Sequence, residues 1–424
     1  MIVLFAALAL LLLAGVPVFV AIGGAAAIYI LLNGINPIIV IQQMVAGLDS
    51  FTLLAVPFFI LAANLMNRAN VTDRLYNFAH AMVAHWRGGL GHVTIYGSLL
   101  FSMMSGTAVA DAAGLGAIQL KAMRARNYPD GFSVGITGIS SLLGPIMPPS
   151  LALVVYGFVA NVSVGQLFLA GAVPAFLCAV ALHLSVIYFA RRRGMPTEAR
   201  RGWAERLRSF WFAIPALLTP VIIIGGILAG VATPTEAAAI ASIYALCLGV
   251  FVYRSLDLKT ILSTLRETFE TTSTLMIMVA GSIIFGWVLV RENAARDFAL
   301  LMLSVVSEPW QVMAILIAIL LVAGMFLDTI AVILIAVPIF APVLAQYQID
   351  MVQFGIVMVL SLMIGMTTPP IGIITFVMSR ISGMGYMATF RACAPFLVSV
   401  VAVMLLVAAV PQVATALPSL FTPS

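Results

Sequence analysis

Gly144-Pro-Ile-Met-Pro148-Pro149 and Gly365-Met-Thr-Thr-Pro369-Pro370 each lie inside an otherwise apolar run, and they are versions of one another. Each is followed 25 residues after its second Pro by another Pro, Pro174 and Pro395. A single offset of 221 residues, about half the chain, superimposes these landmarks. A double proline cannot continue a helix, because it removes N–H donors and clashes with the preceding turn. In lipid such a break survives only where protein or a water-filled cavity takes up the freed backbone groups. Interrupted helices at matching positions of two halves are the best sequence pointer to the binding site of a secondary transporter.

The composition agrees with a membrane setting. The 424 residues are 63% hydrophobic and 8% charged, with a mean hydropathy of +1.17, whereas soluble domains carry about 25% charge. A net charge of +5 does not imply nucleic acid, because the basic residues fall in loops between apolar runs, where membrane topology explains them. The run from Met1 lacks a basic leader and continues into further apolar sequence, so it reads as a first membrane segment and not as a cleavable signal. Cys178, Cys247 and Cys393 are far apart in apolar runs and read as small core residues, not as a metal site or disulfide framework.

Two short helices are expected in residues 1–33, broken at Gly15-Val-Pro17, then an interfacial stretch at 36–50 and a span at 51–67. Residues 93–125 combine an apolar arm, a Ser105-Gly106-Thr107 centre and a small-residue arm. They read either as a re-entrant helical hairpin or as one span with a tolerated Gly. Spans at 131–160, holding the first Pro-Pro break, and at 166–190 complete a first repeat, residues 1–190. The arginine-rich segment 191–210 is a linker. The second repeat, 211–424, carries spans at 211–231, 235–253 and 272–290, with an amphipathic stretch at 255–270. A second candidate hairpin follows at 310–345, with Gly324 to Thr329 near its middle, then the second Pro-Pro span at 352–379 and a last span at 388–415.

Charge discriminates between the two readings of 93–125. With the linker in the cytoplasm and each hairpin returning to its own side, 18 of the 20 basic residues fall inside, leaving Arg291 and Arg296 outside. A full crossing at 93–125 would move Arg68, Arg74 and Arg87 out, so the positive-inside bias favours the hairpin. The halves then have opposite orientation, with both termini periplasmic. The fold expected is an all-α polytopic membrane protein, an inverted structural repeat with two re-entrant helical hairpins and two Pro-Pro-broken helices.

Candidate chemistry gathers at those interruptions. Ser105, Gly106, Thr107, Thr367 and Thr368 offer hydroxyls and open backbone at membrane depth, and the glycines Gly144, Gly324 and Gly365 offer open backbone. Oxygen ligands of this kind suit a dehydrated Na⁺, and half-helix N-termini favour an anionic group. The alternative is that the hydroxyls only satisfy loosened backbone. Asp328 lies in a long apolar stretch; at the bilayer centre its charge costs about 2.5–3.5 kcal/mol, which makes it a functional candidate. Asp111, one turn beyond Thr107, can cap, pair or line the same cavity. Glu236 follows a Pro at an expected helix N-terminus, where a structural role is favoured. His80, His85, His92 and His183 form no HExxH motif, and a P-loop, a GxSxG elbow and a Rossmann fingerprint are all missing. Nothing here marks an enzyme.

These residues resemble the large membrane subunit of TRAP (tripartite ATP-independent periplasmic) transporters over nearly the whole chain. The resemblance is carried by Pro57-Phe-Phe with Asn64-Leu-Met, Arg87-Gly-Gly-Leu, Ser105-Gly-Thr-Ala-Val-Ala-Asp-Ala-Ala and Pro148-Pro-Ser. It continues in Ser163-Val-Gly-Gln-Leu-Phe-Leu-Ala-Gly, Gly225-Gly, Thr233-Pro-Thr-Glu-Ala-Ala-Ala and Gly365 to Pro370. Where that family often has Ser-Gly-Ser-Ser at the first tip, this chain keeps the hydroxyl at Thr107 and loses one at Ala108; Ala175 replaces a common Gly.

The resemblance implies a bacterial inner-membrane carrier driven by a Na⁺ gradient, importing a carboxylate-bearing solute such as a dicarboxylate, sialic acid, sugar acid or keto acid. It implies a periplasmic solute-binding protein that delivers the solute and a small membrane subunit; the end at Ser424 makes that subunit a separate chain in this expectation. It also implies an elevator, with segments 93–190 and 302–415 moving against a scaffold of 1–67 and 211–290. The substrate carboxylate would sit among Ser105, Thr107, Asp328, Thr329, Pro149 and Pro370. Na⁺ would sit on Ser105, Gly106, Gly144, Gly324, Gly365, Thr367 and Thr368. A self-sufficient ion-coupled organic anion carrier and an intramembrane enzyme using Asp111 and Asp328 as an acid pair are the competing readings.

Overall fold

The computed structural model describes residues 2–421, which form 21 α-helices and no strand. The chain opens with α1 (Ile2–Leu13) and α2 (Val18–Leu32), separated at Gly15 and Pro17 as expected. Helix α3 (Ile38–Leu48) buries none of its residues, and a 3-10 turn (Phe51–Leu54) leads into α4 (Ala55–Arg68) and α5 (Val71–Val83). The first helical hairpin is α6 (Gly89–Ser105), α7 (Ala108–Ala113) and α8 (Leu115–Ala125). The first broken helix is α9 (Asp130–Ser140) and α10 (Leu151–Ala160), and α11 (Val164–Arg193) closes the first half.

The second half holds α12 (Trp203–Leu228), α13 (Pro234–Cys247), α14 (Leu258–Arg291) and α15 (Ala294–Val305). The second hairpin is α16 (Pro309–Phe326) with α17 (Thr329–Gln346), and the second broken helix is α18 (Met351–Gly365) with α19 (Ile373–Ser382). Helices α20 (Tyr386–Ala409) and α21 (Gln412–Phe421) follow. Eight helices among the described residues are long and apolar enough to cross a membrane. With the family assignment below, this is a multi-pass membrane protein.

Several boundaries differ from the sequence reading, each for a local reason. Helix α5 lies between the expected span at 51–67 and the segment 93–125, where no element was expected, yet Val71, Leu75, Ala79 and Val83 recur at helical spacing and are buried. The amphipathic stretch and the following span are one helix, α14. Asp257 caps it by accepting from Thr260 N at 2.9 Å, and no Gly or Pro interrupts it before Gly281. Its 34 residues reach about 51 Å, so its polar N-terminal part extends beyond a bilayer core of roughly 30 Å. The linker shortens to residues 194–202, because helices absorb both ends. It is pinned through Glu198, which pairs with His80 Nε2 at 3.1 Å and with Arg126. Gly114 splits the returning arm of the first hairpin, and Pro411 separates α20 from α21. Pro174 and Pro395, by contrast, lie inside continuous helices. Cys178 and Cys393 are buried, but Cys247 is exposed on α13 and is not a core residue.

Two sets of packing contacts organise the helices. In one, α14 lies against α2, α3 and α4, and α13 lies against α4 and α12. Helices α2 and α14 cross at a glycine pair: a Cβ on Gly281 would stand 3.0 Å from Gly23 N, a close approach that only small residues permit. In the other set the two halves interleave, α9 on α20, α10 on α17 and α11 on α20 and α21, while α16 packs on α18. The interruptions at 144–150 and 366–372 lie within this second set.

The close crossing of α16 and α18 generates a stability prediction. A Cβ on Gly365 would stand 2.7 Å from Leu321 O and 2.8 Å from Gly324 Cα, with backbone on the other side that cannot yield. Gly365→Ala is expected to cost about 1–3 kcal/mol through overpacking. Gly225→Ala on α12 meets nothing within 4 Å and should be neutral or slightly stabilising. Thermal unfolding in detergent should separate the two; equal midpoints would show that the α16–α18 crossing can relax.

Candidate functional site

The first tip forms because Gly106 adopts φ 62°, a conformation that ends α6 with Gly106 N donating to Ser102 O at 3.1 Å. Thr107 is extended and starts α7, its Oγ1 accepting from Ala110 N at 3.4 Å. This tip rests directly on the first break. A Cβ on Gly106 would stand 2.9 Å from Pro149 O, and one on Gly144 would stand 2.9 Å from the Thr107 carbonyl carbon. The break closes through Ser150, which accepts from Leu153 N at 3.3 Å to cap α10 and donates to Pro145 O. A Ser between a double proline and an apolar run is an N-cap signature readable in sequence.

The second tip is built differently. Leu327 is extended after α16, and Asp328 caps α17 by accepting from Ile330 N at 3.0 Å. Gly372 N donates to Met325 O at 3.4 Å, and Thr329 Oγ1 donates to Met366 Sδ at 3.0 Å, joining this tip to the second break. Thr367 and Thr368 donate to Met363 O at 3.2 Å and Ile364 O at 2.8 Å, one turn back. Their hydroxyl protons thus satisfy loosened backbone, while their oxygen lone pairs stay free to accept a cation. Thr367 O in turn accepts from Thr375 Oγ1 at 2.5 Å.

Both tips and both breaks converge on one cavity of about 50 Å³. Gly106 and Thr107 line it from the first tip, Asp328 and Thr329 from the second, and Pro145 and Met366 from the breaks. It also lies at the N-terminal residues of α10 and α17, where unpaired N–H groups and the helix dipole favour an anion. A second cavity of about 160 Å³ adjoins the other side of the first tip, lined by Ser105, Gly106, Thr107 and Pro149 and by Asn64, Asn67 and Thr271 of α4 and α14. Ser105 Oγ is buried here without a hydrogen-bond partner, which suits a cation ligand. The amides Asn64 and Asn67 were not among the candidate site residues, although two polar residues three apart on an apolar helix mark one face.

Not every candidate joins this cluster. Gly144, Gly324 and Gly365 act at the backbone crossings, and Pro370 is exposed and lines neither cavity. Asp111 also lines neither cavity, so it shares none with Asp328 that would support an acid pair. Glu236 completes a capping box with Thr233, accepting from Thr233 N at 2.7 Å. His183 Nδ1 lies 2.6 Å from His92 Nδ1, away from both cavities. No group of three or more His, Cys, Asp or Glu residues among those described is placed to hold a metal.

Interrupted helices meeting tip to break around a shared pocket, in a body of apolar helices, define a carrier-type membrane permease. The fold is similar to that of the Alcanivorax borkumensis YdaH transporter, with a TM-score of 0.64, 12% identity and 87% of each chain covered. The family model described as the DctM component of the tripartite ATP-independent periplasmic transporter matches residues 5–413, and the chain belongs to that family. It is the large membrane subunit of a TRAP transporter. The sialic acid TRAP transporter large permease protein SiaM of Vibrio cholerae is 45% identical over 97% of this chain and 96% of its own. The C4-dicarboxylate TRAP transporter large permease protein DctM of Pseudomonas aeruginosa is 38% identical over 88% and 87%. These relatives are named as permeases, in agreement with the reading that the chain is not an enzyme.

Asp328 combines a cap with an acidic group, and two variants separate them. Asp328→Asn keeps an oxygen acceptor for Ile330 N, whereas Asp328→Ala removes cap and acidic group together, costing about 0.5–2 kcal/mol of stability. Both variants are expected to abolish solute uptake, and only the Ala variant should unfold at lower temperature. Normal uptake by the Asn variant would restrict Asp328 to capping.

Proposed function

We propose that this permease imports a carboxylate-bearing solute with a Na⁺ gradient, and that the shared pocket between the two tips is where the solute carboxylate binds. The observation that carries the proposal is the convergence of both tips and both breaks on one cavity, where the first turns of α10 and α17 favour an anion. Thr107, Asp328 and Thr329 orient the solute there. Ser105, Gly106 and Gly144 offer oxygens for one Na⁺, and Gly324, Gly365, Thr367 and Thr368 offer them for another, with hard oxygen donors supplied by hydroxyls and loosened carbonyls. A bound Na⁺ supplies a positive charge beside the anion. The protein's own task is to hold two interrupted backbones at membrane depth so that their groups face the cavity.

The movement we propose is an elevator. Helices α6–α11 and α16–α21 interleave across the two halves and would travel as one body, while α1–α4 and α12–α14 stay as scaffold. The larger cavity lies between the first tip and α4 and α14, which is where these bodies face one another. The 221-residue offset and the charge bias support an inverted repeat with both termini periplasmic in a bacterial inner membrane. A tripartite system supplies the remaining parts: a periplasmic solute-binding protein that delivers the solute and a small membrane subunit. Among organic acids, sialic acid leads, because the SiaM relative shares 45% of its residues.

The deciding experiment is uptake into proteoliposomes holding the chain and its small partner, with sialic acid and C4-dicarboxylates tested with and without binding protein under an inward Na⁺ gradient. Uptake is expected to require both the gradient and the binding protein. Uptake without the binding protein would establish a self-sufficient carrier instead, and transport that follows a proton gradient alone would overturn the Na⁺ assignment.

A further inference from the structure

Two arginines from different helices meet over one aromatic slot. Arg193, in the last turn of α11, and Arg391, near the start of α20, line a cavity of about 260 Å³ that is larger than either cavity at the tips. Phe132 on α9 and Phe189 on α11 both pack against Phe396 on α20 to form its floor, with ring centroids 5.7 and 5.2 Å apart. Arg193 Cζ stands 5.7 Å from the Phe189 ring centroid, an attraction that holds its charge at the rim. Both arginines are exposed, and among the described residues neither pairs with a carboxylate. Asp130, next to the cavity in sequence, is taken by Arg124, and Glu198, on the linker after α11, is taken by His80 and Arg126.

The cavity lies at the level of a lipid headgroup. Residues 392–409 of α20 carry no charge and rise about 27 Å, close to a hydrocarbon thickness of about 30 Å, so Arg391 stands at its edge. Helix α11 likewise carries no Asp, Glu, Lys or Arg before Arg191. From Arg391 an exposed apolar stripe runs on along one face of α20: Pro395, Val398, Ala402 and Leu405 follow at alternating spacings of four and three. The stripe rises about 21 Å, more than the roughly 15 Å of one leaflet's hydrocarbon. The helix dipole favours basic residues in the last turn of α11 but gives no reason for Arg391 in the second turn of α20. Membrane topology accounts for the side on which both arginines lie, but not for their meeting on one slot. A charged rim, an aromatic slot and an apolar stripe in succession fit an anionic amphiphile, whereas a soluble anion has no use for the stripe.

We propose that the cavity between α11 and α20 binds the headgroup of an anionic phospholipid, with Arg193 and Arg391 on the phosphate and an acyl chain along the α20 stripe. Basic pockets between membrane helices take such headgroups, and the planar fork of arginine matches phosphate oxygens. The site depends neither on Na⁺ coupling nor on the movement proposed above. Its test is native mass spectrometry of the purified full chain, delipidated in detergent and then titrated with phosphatidylglycerol or phosphatidylcholine. One phosphatidylglycerol per chain is expected to be retained in preference to phosphatidylcholine. Arg193→Gln combined with Arg391→Gln should weaken that retention by roughly tenfold or more. Arg254→Gln combined with Lys259→Gln removes the same charge away from the cavity and should leave retention unchanged. If the double variant at the cavity does not fold, the two single variants decide, each being expected to retain less phosphatidylglycerol than the unaltered chain. Equal retention of the two lipids, unchanged retention in the folded arginine variants, or an equal loss in the control pair overturns the proposal. Release of the lipid by inorganic phosphate would mark a site for a soluble anion and would overturn it as well.

Discussion

Everything in this molecule depends on making an interrupted helix tolerable in lipid. A broken helix leaves N–H groups at one end and carbonyls at the other, and hydrocarbon satisfies neither. Here the breaks are met by other breaks. Gly106 sits against Pro149 O, Gly144 against the Thr107 backbone, and Gly365 against Gly324. Caps from Thr107, Ser150 and Asp328 occupy part of what remains. Thr107, Asp328 and Thr329, which close or follow these interruptions, also line the small cavity, so the residues that settle the fold border the pocket as well.

That economy explains the distribution of residue types. Glycine recurs at the crossings because the approaching atoms are backbone, where a methyl group has no room. Hydroxyl residues recur beside them because Ser and Thr can bond a carbonyl one turn back and keep lone pairs for another partner. Thr367 and Thr368 show that the structural and functional readings of such residues are compatible, since one lone proton serves the backbone and the oxygen remains. Asp328 is likewise both a cap and a lining residue of the cavity. Interleaving of the halves, α10 on α17 and α9 on α20, makes the two interruptions parts of one packed body although 221 residues separate them.

Much of the plan was legible in the chain because its signals are local. Double prolines, the Gly-Thr tip, the apolar lengths and the basic loops act within a turn or two, so the hairpins, the breaks and the membrane class followed from them. Helix α5 and the continuity of α14 were less legible, because their amphipathic faces become meaningful only against a neighbour. Pro174 and Pro395, landmarks of the 221-residue offset, are not breaks themselves. In both cases the helix runs on through a single proline, where a double one stops it.

By itself the sequence determined that this is a polytopic helical membrane protein with paired interruptions, since lipid forbids almost every other solution for such a chain. It also singled out candidate hydroxyls, glycines and carboxylates by their chemistry. Only the tertiary structure decided which of these meet: Thr107 with Asp328 in one pocket, Asn64 and Asn67 in the cavity that Ser105 lines, and Pro370 and Asp111 outside both. The physical reason is that composition and spacing act along the chain, whereas a site is made by groups from different helices, and the packing that brings them together depends on backbone approach distances that no local pattern encodes.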